Sequence, residues 1–391
     1  MNPVLALALV AAAGIAVTHL PLPRLRRNLS LDQLLAAGAP LVLLGLLLGP
    51  GLGVLDRSTL RAVAPATALG IGWIGAVVGA RLEWRVLRRM PRHVWRLAGV
   101  HAVAALGLTA VTAWGLTRVV PALAAAWRPT LPAVLTLAAA AMVSGPSAVA
   151  LVTKSKALGR AALLDTALGA GAFALALALY HPRDPSVGPA LGRFSWVAVS
   201  LAASGGVGVL FLWLARLRAD HGELGLDLLG AMLLGAGVGY AAGLSPFVVC
   251  ALAMALIVNL SPQRRQVQGL LEGWEHAIYA VVLVIAGALL HLPTLWLLPA
   301  ALVLGVVRVA ARWAPIRYTR AWLTLPDLPP HLGLANVAQG GVAVALGLSF
   351  TLAYGGSGTL LTTLLLGVGL AQAAAGPLRT LAQRPAREEV R

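Results

Sequence analysis

The sequence predicts an all-α polytopic membrane protein of about thirteen transmembrane helices, an inverted repeat of five-helix units with two broken crossing helices. Three observations predict it. Of the 391 residues, 59% are hydrophobic and only 11% charged, and the mean hydropathy of +0.85 excludes an ordinary soluble protein. The apolar residues gather into runs long enough to cross a bilayer as helices. Two runs are interrupted, at Ser144-Gly145-Pro146-Ser147 and at Ala338-Gln339-Gly340-Gly341, by residues that open a helix.

The runs lie at about 3–20, 32–54, 62–82, 95–118, 131–152, 158–180, 191–215, 224–241, 244–260, 271–291, 294–313, 331–352 and 356–377, numbered here as spans 1 to 13. Trp84, Trp95, Trp114, Trp127, Trp196, Trp213, Trp274, Trp296 and Trp313 fall near their boundaries, as expected of rings that prefer the membrane interface. Positive residues test the count, because they accumulate on the cytoplasmic side. Loops after even-numbered spans carry only Arg57, Arg61, Arg118, Arg128, Arg183 and Arg193. The other Lys and Arg residues, among them Arg312, follow odd-numbered spans, and Arg308 alone is left inside a span. This bias places the N-terminus outside and the C-terminus in the cytoplasm. Residues 1–378 then form a single transmembrane domain and 379–391 a short cytoplasmic tail. The first run is short and holds Ala11-Ala12-Ala13, which suits a signal peptide, but without a basic leader it reads better as a retained helix.

A net charge of +17 and an isoelectric point near 11.6 would suggest nucleic acid in a soluble chain. Here the arginines sit in short loops and act as topology signals, so the expected partner is the bilayer and no nucleic acid. Cys250 is the one cysteine, which excludes an intramolecular disulfide and a cysteine-based metal site.

Spans 2–6 and 9–13 are two sets of five that enter the membrane in opposite directions, and in each set the fourth span carries the break. Lipid does not solvate the backbone groups that a break frees, so each must be covered by protein or line a watery cavity. Spans 5, 6, 12 and 13 are the expected core, and the remaining spans the scaffold and dimer side. Asp165, in span 6, is the one acidic residue well inside an apolar run. An ionised aspartate at a helix centre costs about 3 kcal/mol to insert, so it needs water, a cation or a basic partner. Asp165 and Arg308 lie at matching depths, on the order of 10 and 8 Å from the same membrane face, and Arg308 is the expected charge partner. Two broken helices and one buried carboxylate suggest an ion transporter. The candidate ion-binding residues are Asp165, Thr166, Ser144, Gly145, Pro146, Ser147, Asn336, Gln339 and Gly340. Other roles compete: Asp165 near the interface, compensated by Lys154, Lys156 or Arg160; Arg308 reaching the surface; the small polar residues packing helices together. His101, His276 and His291 lie at span edges without ligand partners and are assigned no site. Glu272 and Glu275 open span 10 on the cytoplasmic side, where solvation is expected.

The chain resembles the monovalent cation:proton antiporter superfamily, the sodium/proton and potassium/proton exchangers. Leu46-Leu47-Leu48-Gly49-Pro50-Gly51-Leu52-Gly53 is similar to that family's early G-x-L-L-G-P-x-x-L-G stretch, and Leu69 to Glu83 to its next span. Ser144 to Val149 resembles the crossing-helix element T/S-S/D-P-x-x-V. Tyr279 to Leu290 resembles F-F-x-x-x-G-x-x-L, and Gln339 to Leu346 resembles P-R-G-x-V-A-x-x-L. The family's acidic pair falls at Leu164-Asp165-Thr166 or, anchored on Gly159-Arg160, at Gly169-Ala170 one turn later. Gln339 stands where an arginine is common in the second broken helix.

The resemblance implies a secondary antiporter that exchanges protons for Na+ or K+ by alternating access. It further implies a homodimer without cofactors, in a bacterial inner membrane. The competing expectation is an antiporter-fold protein that has lost proton exchange and acts as a regulator, a sensor or a carrier of another solute. An intramembrane enzyme is disfavoured, since no H-E-x-x-H motif occurs.

Overall fold

A computed structural model describes residues 5–6, 8–12, 14, 38–145, 156–182, 192–217, 224–319, 332–355 and 358–382. The described residues form helices and connecting turns, with no strand among them. Each of spans 2 to 13 corresponds to helix. Span 2 runs Ala39–Leu46 and continues as a π-helical turn, Leu47–Gly51, loosened where Pro50 lacks an N–H. Span 3 is Ala64–Ala80, span 4 Arg92–Val119, span 5 Thr130–Met142, span 6 Lys156–Leu179 and span 7 Arg193–Leu217. Span 8 is Leu224–Ala241, span 9 Pro246–Leu260, span 10 Arg264–Ala288 and span 11 Leu297–Thr319. Span 12 is split into a 3-10 turn, Leu332–Asn336, and a helix, Gly341–Tyr354; span 13 is Thr359–Ala382. The described residues between 5 and 14 are helical as well. Six of these helices are long and apolar enough to cross a membrane, while the apolar helical stretches of spans 2, 3, 5, 9, 12 and 13 are shorter.

Local chemistry explains several ends. Span 9 starts at Pro246, whose missing N–H costs nothing at a first helical position, behind Ser245, whose hydroxyl accepts from the Val248 N–H. Outside the membrane runs, Asp56 caps the turn Arg57–Ala62 by accepting from Thr59 N at 2.8 Å. Those hydrogen bonds hold its carboxyl down, to about 2.

Contacts between connections sort them onto two faces, as the charge alternation requires. Glu83, after span 3, pairs with Arg264, after span 9, at 3.2 Å. On the other face, His181 after span 6 lies 3.1 Å from the Ala242 carbonyl after span 8. There too, His291 N after span 10 donates to Thr362 at the start of span 13.

The inverted repeat is visible in how backbones approach. Related by the repeat, spans 2 and 10 pack as spans 9 and 3 do. A Cβ on Gly45 or Gly49 of span 2 would lie 2.0 Å from Val284 O or 2.6 Å from Ala288 O of span 10. On Gly75 or Gly79 of span 3, it would lie 2.1 Å from Phe247 O or 2.0 Å from Ala251 O of span 9. Only glycine permits either approach.

Two sequence expectations are corrected. Trp127 is not an interface ring: it is fully buried and donates its indole N–H to Thr363 Oγ1 at 3.1 Å. Span 11 extends past 313 to Thr319, so Arg312, assigned to a loop by its charge, is a fully buried helical residue.

Candidate site at the crossed breaks

The span 5 helix ends at Met142 because Val143 turns extended (φ −66°, ψ 130°), leaving carbonyls of the last turn without helical partners. The second break crosses it here: Gly145 N donates to Ala338 O at 3.1 Å. A Cβ on Gly340 would sit 3.6 Å from Gly145 Cα. Side chains from spans 11 and 12 take up the freed carbonyls. Gln339 Nε2 donates to Ala140 O at 2.9 Å. Arg308 donates to Ala141 O, to Val143 O at 2.7 Å and across the crossing to Val337 O at 3.0 Å. Arg312 donates to Met142 O and to Ala141 O at 3.2 Å. Two guanidiniums at a helix C-terminus also meet the negative end of its dipole.

Asp165 faces this crossing from span 6 and is fully buried. Its Oδ2 accepts from Arg312 Nη1 at 2.5 Å and lies 3.3 Å from Ser144 Oγ and 3.6 Å from His101 Nδ1 of span 4. Its Oδ1 has no hydrogen-bond partner among the described residues, and neither do the two ring nitrogens of His101 or the side-chain amide of Asn336. Ser144 Oγ is 3.3 Å from both Asp165 Oδ2 and Asn336 O, and its single proton serves one of them at a time. Next to Asp165, Thr166 Oγ1 bonds Ser144 O at 2.6 Å, and from span 13 Gln372 Nε2 donates to Gln339 O. Each break is thus tied by a polar side chain of the span that follows it.

Of the residues singled out in the sequence, Asp165, Thr166, Ser144, Gly145, Asn336, Gln339 and Gly340 come together at the crossing. Pro146 and Ser147 lie outside the described residues. Arg308 is corrected as the charge partner: it is buried beside the site but bonds backbone carbonyls, and Arg312, one turn on, holds the carboxylate. The residues are i and i+4 on one helix face, a spacing that could have nominated the second once the first was placed inside. His101 is corrected too, from a span edge to a fully buried position against Asp165. Gln372 was not singled out at all. Gly169, the alternative register, packs with its Cβ position 2.8 Å from Ala139 O, so no larger side chain fits there. Among the described residues, no group of three His, Cys, Asp or Glu is placed to hold a metal ion.

The end of the span 5 helix and the split in span 12 thus meet over a buried ion pair. No protein-family profile and no curated protein sequence matches the chain. Solved structures do: the sodium proton antiporter MjNhaP1 from Methanocaldococcus jannaschii, at pH 8, superposes with a TM-score of 0.67. The match covers 98% of this chain and 99% of that one at 16% identity. The chain is an all-α integral membrane protein with the sodium/proton antiporter fold, which is the fold that the sequence resemblance implies.

Proposed function

We propose that this protein is a secondary antiporter that exchanges protons for a monovalent cation, Na+ or K+, by alternating access, with Asp165 as the exchanging carboxylate. The observation that carries the reading is the divided environment of that carboxylate. Oδ2 is held by Arg312, while Oδ1 is buried and has no hydrogen-bond partner among the described residues. A buried charge-bearing oxygen left unmatched is costly, so it has a strong preference for a proton or a cation. One oxygen cannot hold both. Ser144, Asn336 and Thr166 add hydroxyl, amide and carbonyl oxygens within the same crossing, with Gly145, Gln339 and Gly340 shaping it. Arg312 serves as the internal counter-ion that lets the empty carboxylate remain charged while buried. Spans 5, 6, 12 and 13 would move as a core against the glycine-packed scaffold of spans 2, 3, 9 and 10. The reading includes a homodimer formed through scaffold spans, an external N-terminus and a cytoplasmic tail in a bacterial inner membrane.

A second reading is favoured by the charge count. Two guanidiniums face one carboxylate, and Arg308, Arg312 and Gln339 occupy the carbonyls that an unwound helix otherwise offers a cation. That arrangement suits an antiporter-fold protein without proton exchange, a regulator or a carrier of another solute. Reconstituted liposomes with a pH-sensitive dye inside decide between them. The antiporter moves protons when Na+, K+ or Li+ is added outside; a well-folded protein that moves none with any cation supports the second reading.

A further inference from the structure

One strip of the scaffold links a solvated membrane face to the crossing. Arg81, at the end of span 3, pairs with Glu275 of span 10 through contacts of 3.2 and 3.3 Å, and both side chains stay partly exposed, at 35% and 28%. One turn further along the same face of span 10 comes Tyr279, which is itself only partly buried. Its ring lies on the second break: a Cβ on Gly341 would fall 1.6 Å from the Tyr279 hydroxyl, and one on Gly340 would come within 4.0 Å of it. Gly340 is partly exposed, whereas Gly145, Ser144 and Asp165 behind it are buried. The Tyr279 hydroxyl makes no hydrogen bond to any described residue. The strip therefore runs from a carboxylate through a free hydroxyl to the point where the two breaks meet.

We infer that Glu275 and Tyr279 form an outer station for the transported cation, on the face that the charge census assigns to the cytoplasm. This inference rests on the cation-exchange reading above. Glu275 concentrates a monovalent cation beside the seam where span 10 meets span 12, and its pairing with Arg81 sets how much of that charge is free. The Tyr279 hydroxyl is the next oxygen inward. Its ring stands between Glu275 and the Gly340-Gly341 backbone, so the cation passes when the core shifts that backbone away from the ring. An ion pair this exposed adds little to stability, so its variants keep the fold.

Two measurements test the station. In proteoliposomes, E275Q raises the KM for the cation about threefold without changing the maximal rate, the weight of one unit charge at roughly 7 Å in water. R81Q lowers KM by a similar factor, and Y279F changes KM while E272Q, on the exposed side of the helix, does not. Independently of transport, Y279C in a Cys250→Ala background is treated in inside-out vesicles with a cationic and with a neutral methanethiosulfonate. The introduced thiol reacts with both, E275Q lowers the cationic-to-neutral rate ratio and R81Q raises it. A thiol closed to both reagents, or a ratio unmoved by either variant, overturns the station even if wild-type exchange is intact. A ratio that moves as expected in a protein with no cation-driven proton flux supports the charged strip and rejects the exchange reading instead.

Discussion

The scaffold and the crossing solve the same problem, bringing backbones together inside a membrane, by opposite means. Where spans 2 and 10 and spans 3 and 9 meet, side chains are simply removed: Gly45, Gly49, Gly75 and Gly79 let one helix lie against the carbonyls of the next. Where spans 5 and 12 meet, polar side chains are added. Arg308, Arg312, Gln339 and Gln372 bond the freed backbone, and Asp165 neutralises one of the guanidiniums. The first arrangement has one tight geometry and no group that responds to an ion. The second depends on buried charges, and among the described residues it leaves Oδ1 of Asp165 and the Asn336 amide without hydrogen-bond partners. Rigidity and responsiveness are thereby assigned to different parts of one inverted repeat.

The difference can be broken by substitution. R312Q should have the largest effect, because it strands a buried carboxylate; removing one member of such a pair costs about 3–5 kcal/mol. Thermal unfolding in detergent should show that loss, and D165N added to R312Q should recover part of it, since no stranded carboxylate then remains. G79V should cost about 3 kcal/mol, the upper end for overpacking, because its branched side chain meets the Ala251 backbone and not a flexible neighbour. No second charge substitution should rescue it, and a rescue by D165N would show that the two regions are not separate. Y354F should cost about 1 kcal/mol, the value of one hydrogen bond from Tyr354 Oη to Tyr180 O at 2.5 Å, which joins spans 12 and 6 within the core.

The smallest effect belongs to Asp56, which is exposed in the connection between spans 2 and 3. Its folded carboxyl titrates at about 2, below the ordinary 3.8, so its cap stabilises the fold above that ordinary value and is lost as pH falls toward 2. D56A should lower the melting temperature slightly at neutral pH, with the difference from wild type shrinking as the medium is acidified through that window. An unchanging difference would show that the carboxylate charge is not what the cap uses.

Much of this was legible in the sequence because membranes make exceptions conspicuous. Glycine and proline inside apolar runs marked both breaks, and a lone aspartate in span 6 marked the carboxylate. Arg312 was not legible, because an arginine near a span end reads as a loop charge until the helix is seen to continue to Thr319. His101 was hidden by the same edge effect, and Gln372, although in a span assigned to the core, was not singled out. Their roles come from the approach of spans 4, 11 and 13 to the crossing, a tertiary fact that no period or spacing within one helix contains. Gly169, one turn on from Asp165, has no room beside Ala139 O for anything larger than glycine, a fact of packing that the sequence does not show.

The central claim is that one oxygen of Asp165 alternately holds a proton and a cation. The direct measurement is cation-driven proton flux in liposomes for wild type, D165N and D165E, at matched amounts of folded protein. The account predicts flux in wild type, none in D165N, and partial flux with an altered pH dependence in D165E. Wild-type flux that persists unchanged in D165N would contradict it.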